Sequence, residues 1–98
     1  MLLPEDPKEC FEFSAMAFDL ADRLQTPVFV VTDLDMGMND WVVDELEWDD
    51  SRKFDRGKVL DFEALEKMEE KFGRYHDVDG GGICYRTYPG AHPSKGAY

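Results

Sequence analysis

Thr26-Pro27-Val28-Phe29-Val30-Val31-Thr32-Asp33-Leu34-Asp35 is the stretch on which the fold turns. Val28 to Thr32 is β-branched and apolar with no polar alternation, the pattern of a strand covered on both faces in a parallel sheet. Thr26 precedes a proline, which pushes it out of the α region, so a helix has to end here. That helix starts at Asp6-Pro7-Lys8-Glu9: Asp6 suits the N-cap, Pro7 the first helical position, and Glu9 completes a capping box. Cys10, Phe13, Ala17, Leu20 and Leu24 follow at spacings of three and four, with Phe11, Phe18 and Ala21 widening the apolar face. Met1-Leu2-Leu3 reads as the end of an earlier strand. The expected unit is β-α-β, an α/β arrangement with a mostly parallel sheet.

Downstream the pattern becomes irregular. Between Asp33 and Asp55 stand nine carboxylates against Arg52 and Lys53, interleaved with Trp41, Trp48 and Phe54. The aromatics and Val42-Val43 need somewhere to bury, so residues 40–60 read as an acidic, aromatic linker lying on a larger body rather than as a disordered tract. In this reading Trp41, Trp48 and Phe54 are anchors at an interface. Over 61–98 one further helix is expected, capped by Asp61, striped by Phe62, Leu65, Met68 and Phe72, and stopped at Gly73. The tail beyond it is rich in glycine and proline and reads as loop or isolated strand.

The composition narrows the function. The chain has 98 residues, with 22 acidic and 11 basic side chains and a net charge of −11. That charge argues against nucleic acid or an anionic membrane as partner. No apolar run approaches the roughly 20 residues of a membrane span, and the N-terminus does not resemble a secretory signal. Cys10 and Cys84 form no disulfide framework, which suits reduced thiols in the cytoplasm. One β-α-β unit cannot cover both faces of the Val28–Thr32 strand, so a piece of a larger α/β protein, prone to self-association, is the expectation.

Few residues suggest chemistry. Asp33 and Asp35 lie past the carboxyl end of the strand, where open parallel sheets bind ligands, but the simpler reading is a turn cap and a solvated carboxylate. In Asp77-Val78-Asp79-Gly80-Gly81-Gly82, Asp77, Asp79 and Gly82 fit the first, third and sixth positions of a calcium loop. Gly81 fails the fifth, and Tyr88 stands where the bidentate glutamate belongs, so a flexible turn is expected instead. The triple glycine neither follows a strand nor opens a helix, so it is no phosphate cradle. His76 and His92 lack zinc-ligand spacing and read as surface residues. No catalytic, cofactor-binding or metal-ligating residue is assigned.

Longer runs carry a resemblance. Glu9-Cys10-Phe11-Glu12-Phe13, Ala17-Phe18-Asp19-Leu20-Ala21-Asp22-Arg23-Leu24-Gln25-Thr26-Pro27-Val28-Phe29-Val30 and Asp33-Leu34-Asp35-Met36-Gly37-Met38-Asn39-Asp40-Trp41 resemble the α subunit of the thiamine diphosphate-dependent 2-oxoacid:ferredoxin oxidoreductases. Asp55-Arg56-Gly57-Lys58-Val59-Leu60, Arg74-Tyr75, Asp77-Val78-Asp79-Gly80, Tyr85-Arg86-Thr87, Pro89-Gly90, His92-Pro93 and Lys95-Gly96-Ala97-Tyr98 agree in the same order. The extended linker resembles the 2-oxoglutarate type more than the pyruvate type. Two departures stand out: Gly81 replaces a common aspartate, and Cys84 a common proline.

The resemblance implies that 1–39 closes a pyrimidine-binding domain of the thiamine diphosphate fold, that 40–60 is the linker, and that 61–98 begins the next segment. It implies an enzyme that decarboxylates a 2-oxoacid oxidatively to its acyl-CoA and reduces ferredoxin. Thiamine diphosphate, magnesium and an iron–sulfur cluster would serve the full complex, with a β subunit, ferredoxin and coenzyme A as partners. The family's cofactor-activating glutamate and substrate-binding residues match no position here, so this segment is expected to bind no cofactor and to be structural. The alternative from composition alone is a small acidic interaction module without enzymatic activity.

Overall fold

The computed structural model describes residues 1–96, and the last two residues of the resembling runs, Ala97 and Tyr98, lie outside them. The chain divides into two compact units, Met1–Asp55 and Arg56–Tyr98. The division falls inside the expected linker.

The first unit is built on helix α1, Pro7–Leu24. The Asp6 side chain accepts from the Glu9 N–H at 2.7 Å, and Pro7 occupies the first turn, as the sequence predicts. The Glu9 carboxylate reaches back one residue further than a standard capping box, accepting from the Glu5 N–H at 2.9 Å. Helix α1 ends before Thr26: Gln25 takes a left-handed conformation, φ 51°, as its C-cap. The expected strand is reduced to a single parallel bridge between Leu2 and Val30. Leu2 donates to the Phe29 carbonyl at 2.8 Å, and its carbonyl accepts from Val31 at 2.9 Å.

This corrects the expectation of a buried central strand. Phe29 and Val31 are exposed at 64% and 41%, and among the described residues their backbone pairing is limited to Leu2. A short helix α2, Leu34–Met38, follows. The expected α/β character holds at a coarser level: helices accompany a small two-stranded parallel sheet.

Helix α1 is partly covered on two sides: the Cys10–Leu20 stripe is half-buried, and the Phe11–Phe18 edge that widens it meets the aromatics of the irregular segment. At roughly 100° per residue, Phe11, Ala15 and Phe18 lie round the helix from Cys10, Phe13, Ala17 and Leu20. On that side Trp48 meets Phe11 edge to face at 5.9 Å, Phe54 meets Phe18 at 6.2 Å, and Ala15 is buried. The irregular segment thus packs on its own helix.

The second unit contains the sheet. Strands β1, Val59–Leu60, and β2, Arg86–Thr87, pair in parallel with Val59 opposite Arg86 and Leu60 opposite Thr87. Between them lies helix α3, Phe62–Lys67, capped by Asp61, whose side chain accepts from Ala64 at 2.9 Å. The tail read as loop or isolated strand therefore supplies half of a paired sheet. Helix α3 is also shorter than its stripe: Met68 is already extended at ψ 121°, so Gly73 is not its stop. Leu65 is fully buried, and Phe72 is buried although it lies off the helix.

Candidate functional site

The four aspartates singled out in the sequence each have an identifiable hydrogen-bond partner. Asp33 is the N-cap of α2, its Oδ1 accepting from the Met36 N–H at 2.8 Å. Asp35, one turn on, accepts from the side-chain amide of Asn39. Both carboxylates are exposed and serve the ends of a five-residue helix.

Asp77 and Asp79 order the glycine turn from inside it. Asp77 Oδ2 accepts from the Gly82 N–H at 2.9 Å, and Asp79 Oδ1 from the Gly81 N–H at 3.1 Å. The other oxygen of Asp79 takes a 2.6 Å hydrogen bond from Lys58 Nζ, which also donates to the Ile83 carbonyl at 3.1 Å and lies over the Tyr85 ring. The Lys58 hydrogen bond, followed by the Gly81 N–H, holds the Asp79 carboxyl below its ordinary range; the same contact raises Lys58. An ammonium ion thus stands where a cation would have to sit. The turn is tied down by its own carboxylates and by Lys58 rather than left free.

His92 departs from the sequence reading. It was expected at the surface, but it is buried at 8% exposure. Its Nδ1 accepts from the N–H groups of Ser94 at 3.1 Å and Lys95 at 3.0 Å, so Nε2 carries the hydrogen and donates to Glu66 Oε1 at 2.5 Å. Phe62 stacks on the ring at 5.0 Å. The His92 hydrogen bond first, and the Lys95 charge further off, lower the Glu66 carboxyl. Lys95 Nζ donates to the carbonyls of Leu65 at 3.0 Å and Glu66 at 3.3 Å, neutralising the negative end of α3. The only signal in the sequence was His92-Pro93 within a loop, which does not reveal a partner 26 residues away.

Of the three aromatic anchors, Trp48 and Phe54 come together at 6.4 Å on the Phe11–Phe18 side of α1. Arg52 adds a 2.8 Å ion pair with Asp19, whose other oxygen accepts from the Asp55 N–H at 2.7 Å. Trp41 is not part of that cluster; it lines an open groove with Val42 and Leu46.

Among the described residues no group of three or more histidine, cysteine or acidic side chains could hold a metal ion, and no helix is long and apolar enough to cross a membrane. Comparison with protein-family models, with curated proteins and with solved structures finds no match.

Proposed function

We propose that this chain is part of the α subunit of a thiamine diphosphate-dependent 2-oxoacid:ferredoxin oxidoreductase, with 2-oxoglutarate as substrate, and that its part in the enzyme is structural. The observation that carries the proposal is the ordered series of resembling runs from Glu9 to Tyr98. The local structure supports a structural role for those runs. Asp55–Leu60 and Tyr85–Thr87, far apart in sequence, supply the two paired strands, and Lys58 of one run clasps Asp79 of another. Asp33, from a third run, caps α2.

The residues here do not fit the cofactor. Asp33, Asp77 and Asp79 are spent on backbone N–H groups or on Lys58, and Asp35 on Asn39, so no set of oxygens converges on a diphosphate-bound magnesium ion. Two cysteines cannot supply the four thiolates of a typical cluster. In this proposal thiamine diphosphate, magnesium and the iron–sulfur cluster belong to the rest of the complex, and the chain contributes packing surfaces in the cytoplasm.

The test is reduction of a viologen by the complex that contains this chain, with coenzyme A and either 2-oxoglutarate or pyruvate. Turnover of 2-oxoglutarate in preference to pyruvate is expected. Preference for pyruvate overturns the substrate, and no β subunit co-purifying with the chain overturns the assignment.

A further inference from the structure

The first unit has a surface that the packing above does not use. Residues 41–47 run past the N-terminal half of α1 and leave a groove of about 610 Å³ between the two. Its apolar lining comes from Phe11, Trp41, Val42, Val43 and Leu46. Val42 is fully exposed, and Trp41, Val43 and Leu46 are exposed at 40–44%. The chain just beyond them is held on the helix by the Trp48–Phe11 contact and the Arg52–Asp19 ion pair.

Its rim is acidic. Glu12, Asp44, Glu45 and Glu47 border it, with Asp6 at the helix start, against one ammonium, Lys8. The backbone of 41–47 makes no hydrogen bond to the described residues, so its N–H and C=O groups are open to a partner's main chain.

We propose that this groove is a docking site for a basic polypeptide segment that carries large apolar side chains. The apolar side chains would cover Trp41, Val42 and Leu46, while lysine or arginine meets the carboxylate rim. Charge complementarity selects this occupant: a second copy of the chain would bring a net charge of −11 against the acidic rim. The proposal goes beyond the oxidoreductase reading and does not depend on it, since the test scores binding alone.

The probe is a seven-residue synthetic peptide alternating lysine with leucine and phenylalanine, titrated into the full chain and followed by backbone amide shifts. Saturable shifts are expected at 41–47 and in the first half of α1. The triple variant Asp44→Lys/Glu45→Lys/Glu47→Lys should weaken binding roughly tenfold, and added salt should weaken it as well. Val42→Ser, at a fully exposed position that cannot disturb folding, should also weaken it. Equal binding by a lysine–serine peptide overturns the apolar half of the proposal, and equal binding by a glutamate–leucine peptide overturns the charge half. Shifts confined to other residues overturn the site. The same amides shifting with chain concentration alone would assign the groove to a second copy and overturn the proposal.

Discussion

Gly96 has no room for a side chain. Its φ is +78°, and a Cβ built there would stand 2.8 Å from both Oγ1 and Cγ2 of the buried Thr87. Gly96→Ala should therefore destabilise the second unit by about 1–3 kcal/mol, read as a lower denaturant midpoint. Thr87→Ala in the same chain should recover part of that loss, because it removes the two nearest atoms; no recovery would mean that the backbone conformation alone is at fault. The Lys58–Asp79 pair makes a prediction in pH. Asp79 is held below 3.8 in the folded chain, so its contribution is present above that value and is lost as the pH falls through its lowered pKa. Lys58 is raised above 10.5, so its contribution is present below that value and is lost as the pH climbs through its raised pKa. The melting temperature of the chain minus that of Lys58→Met should be a plateau through neutral pH that vanishes at both extremes. A difference that does not vary with pH would show that Lys58 acts only through its packing on Tyr85.

Helix α3 is six residues long, too short to persist on local bonds alone, and is held at both ends. Asp61 satisfies an N–H at its start, and Lys95 satisfies carbonyls at its end from 30 residues away. Lys95→Met keeps the apolar stem but removes the donor. It should speed amide exchange in α3 severalfold while leaving α1 unchanged; unaltered exchange in α3 would show that burial of Leu65 is sufficient. The sequence made the starts of α1 and α3 readable, and Asp33 as a turn cap, because an N-cap is a contact between residues three apart; that the turn after Asp33 is the helix α2 was not readable. The sequence overestimated the length of α3, because Phe72 continues the helical spacing of the stripe while the backbone has already turned out at Met68. It likewise ran the Val28–Thr32 strand too long. An apolar β-branched run says that a strand is possible, but the number of residues that pair depends on neighbours.

Both units keep large apolar side chains at their surfaces. Phe18, Phe29, Leu34 and Met38 each remain more than three-fifths exposed. Apolar association should therefore compete with repulsion between acidic chains. Raising the salt from about 0.05 to 0.5 M shortens the Debye length severalfold and should shift the chain toward dimers or larger species in sedimentation velocity. A sedimentation coefficient independent of salt and concentration would contradict this. The candidate sites follow the same division between local and distant contacts. Asp33 was readable as a turn cap because its N–H partner lies three positions on, whereas Asp77 and Asp79, expected in a flexible turn, in fact order it through the N–H groups of Gly82 and Gly81. The burial of His92 and the clasp of Lys58 on Asp79 were not readable, since their partners come from 26 and 21 residues away.

The sequence by itself determined the starts of α1 and α3, the parallel return of the chain after α1 to the N-terminal residues, the acidic character of 33–55 and the Asp33 cap. These depend on neighbours within one or two turns, or on alternation and charge that are counted directly. The tertiary structure alone decided which segment packs on α1, where the paired strands lie and which histidine is buried. Those outcomes depend on which distant segments meet: Trp48 and Phe54 reach α1, Arg86 and Thr87 reach Val59 and Leu60, and the 92–96 loop closes on α3. A spacing rule records the period of a face but not the segment that covers it.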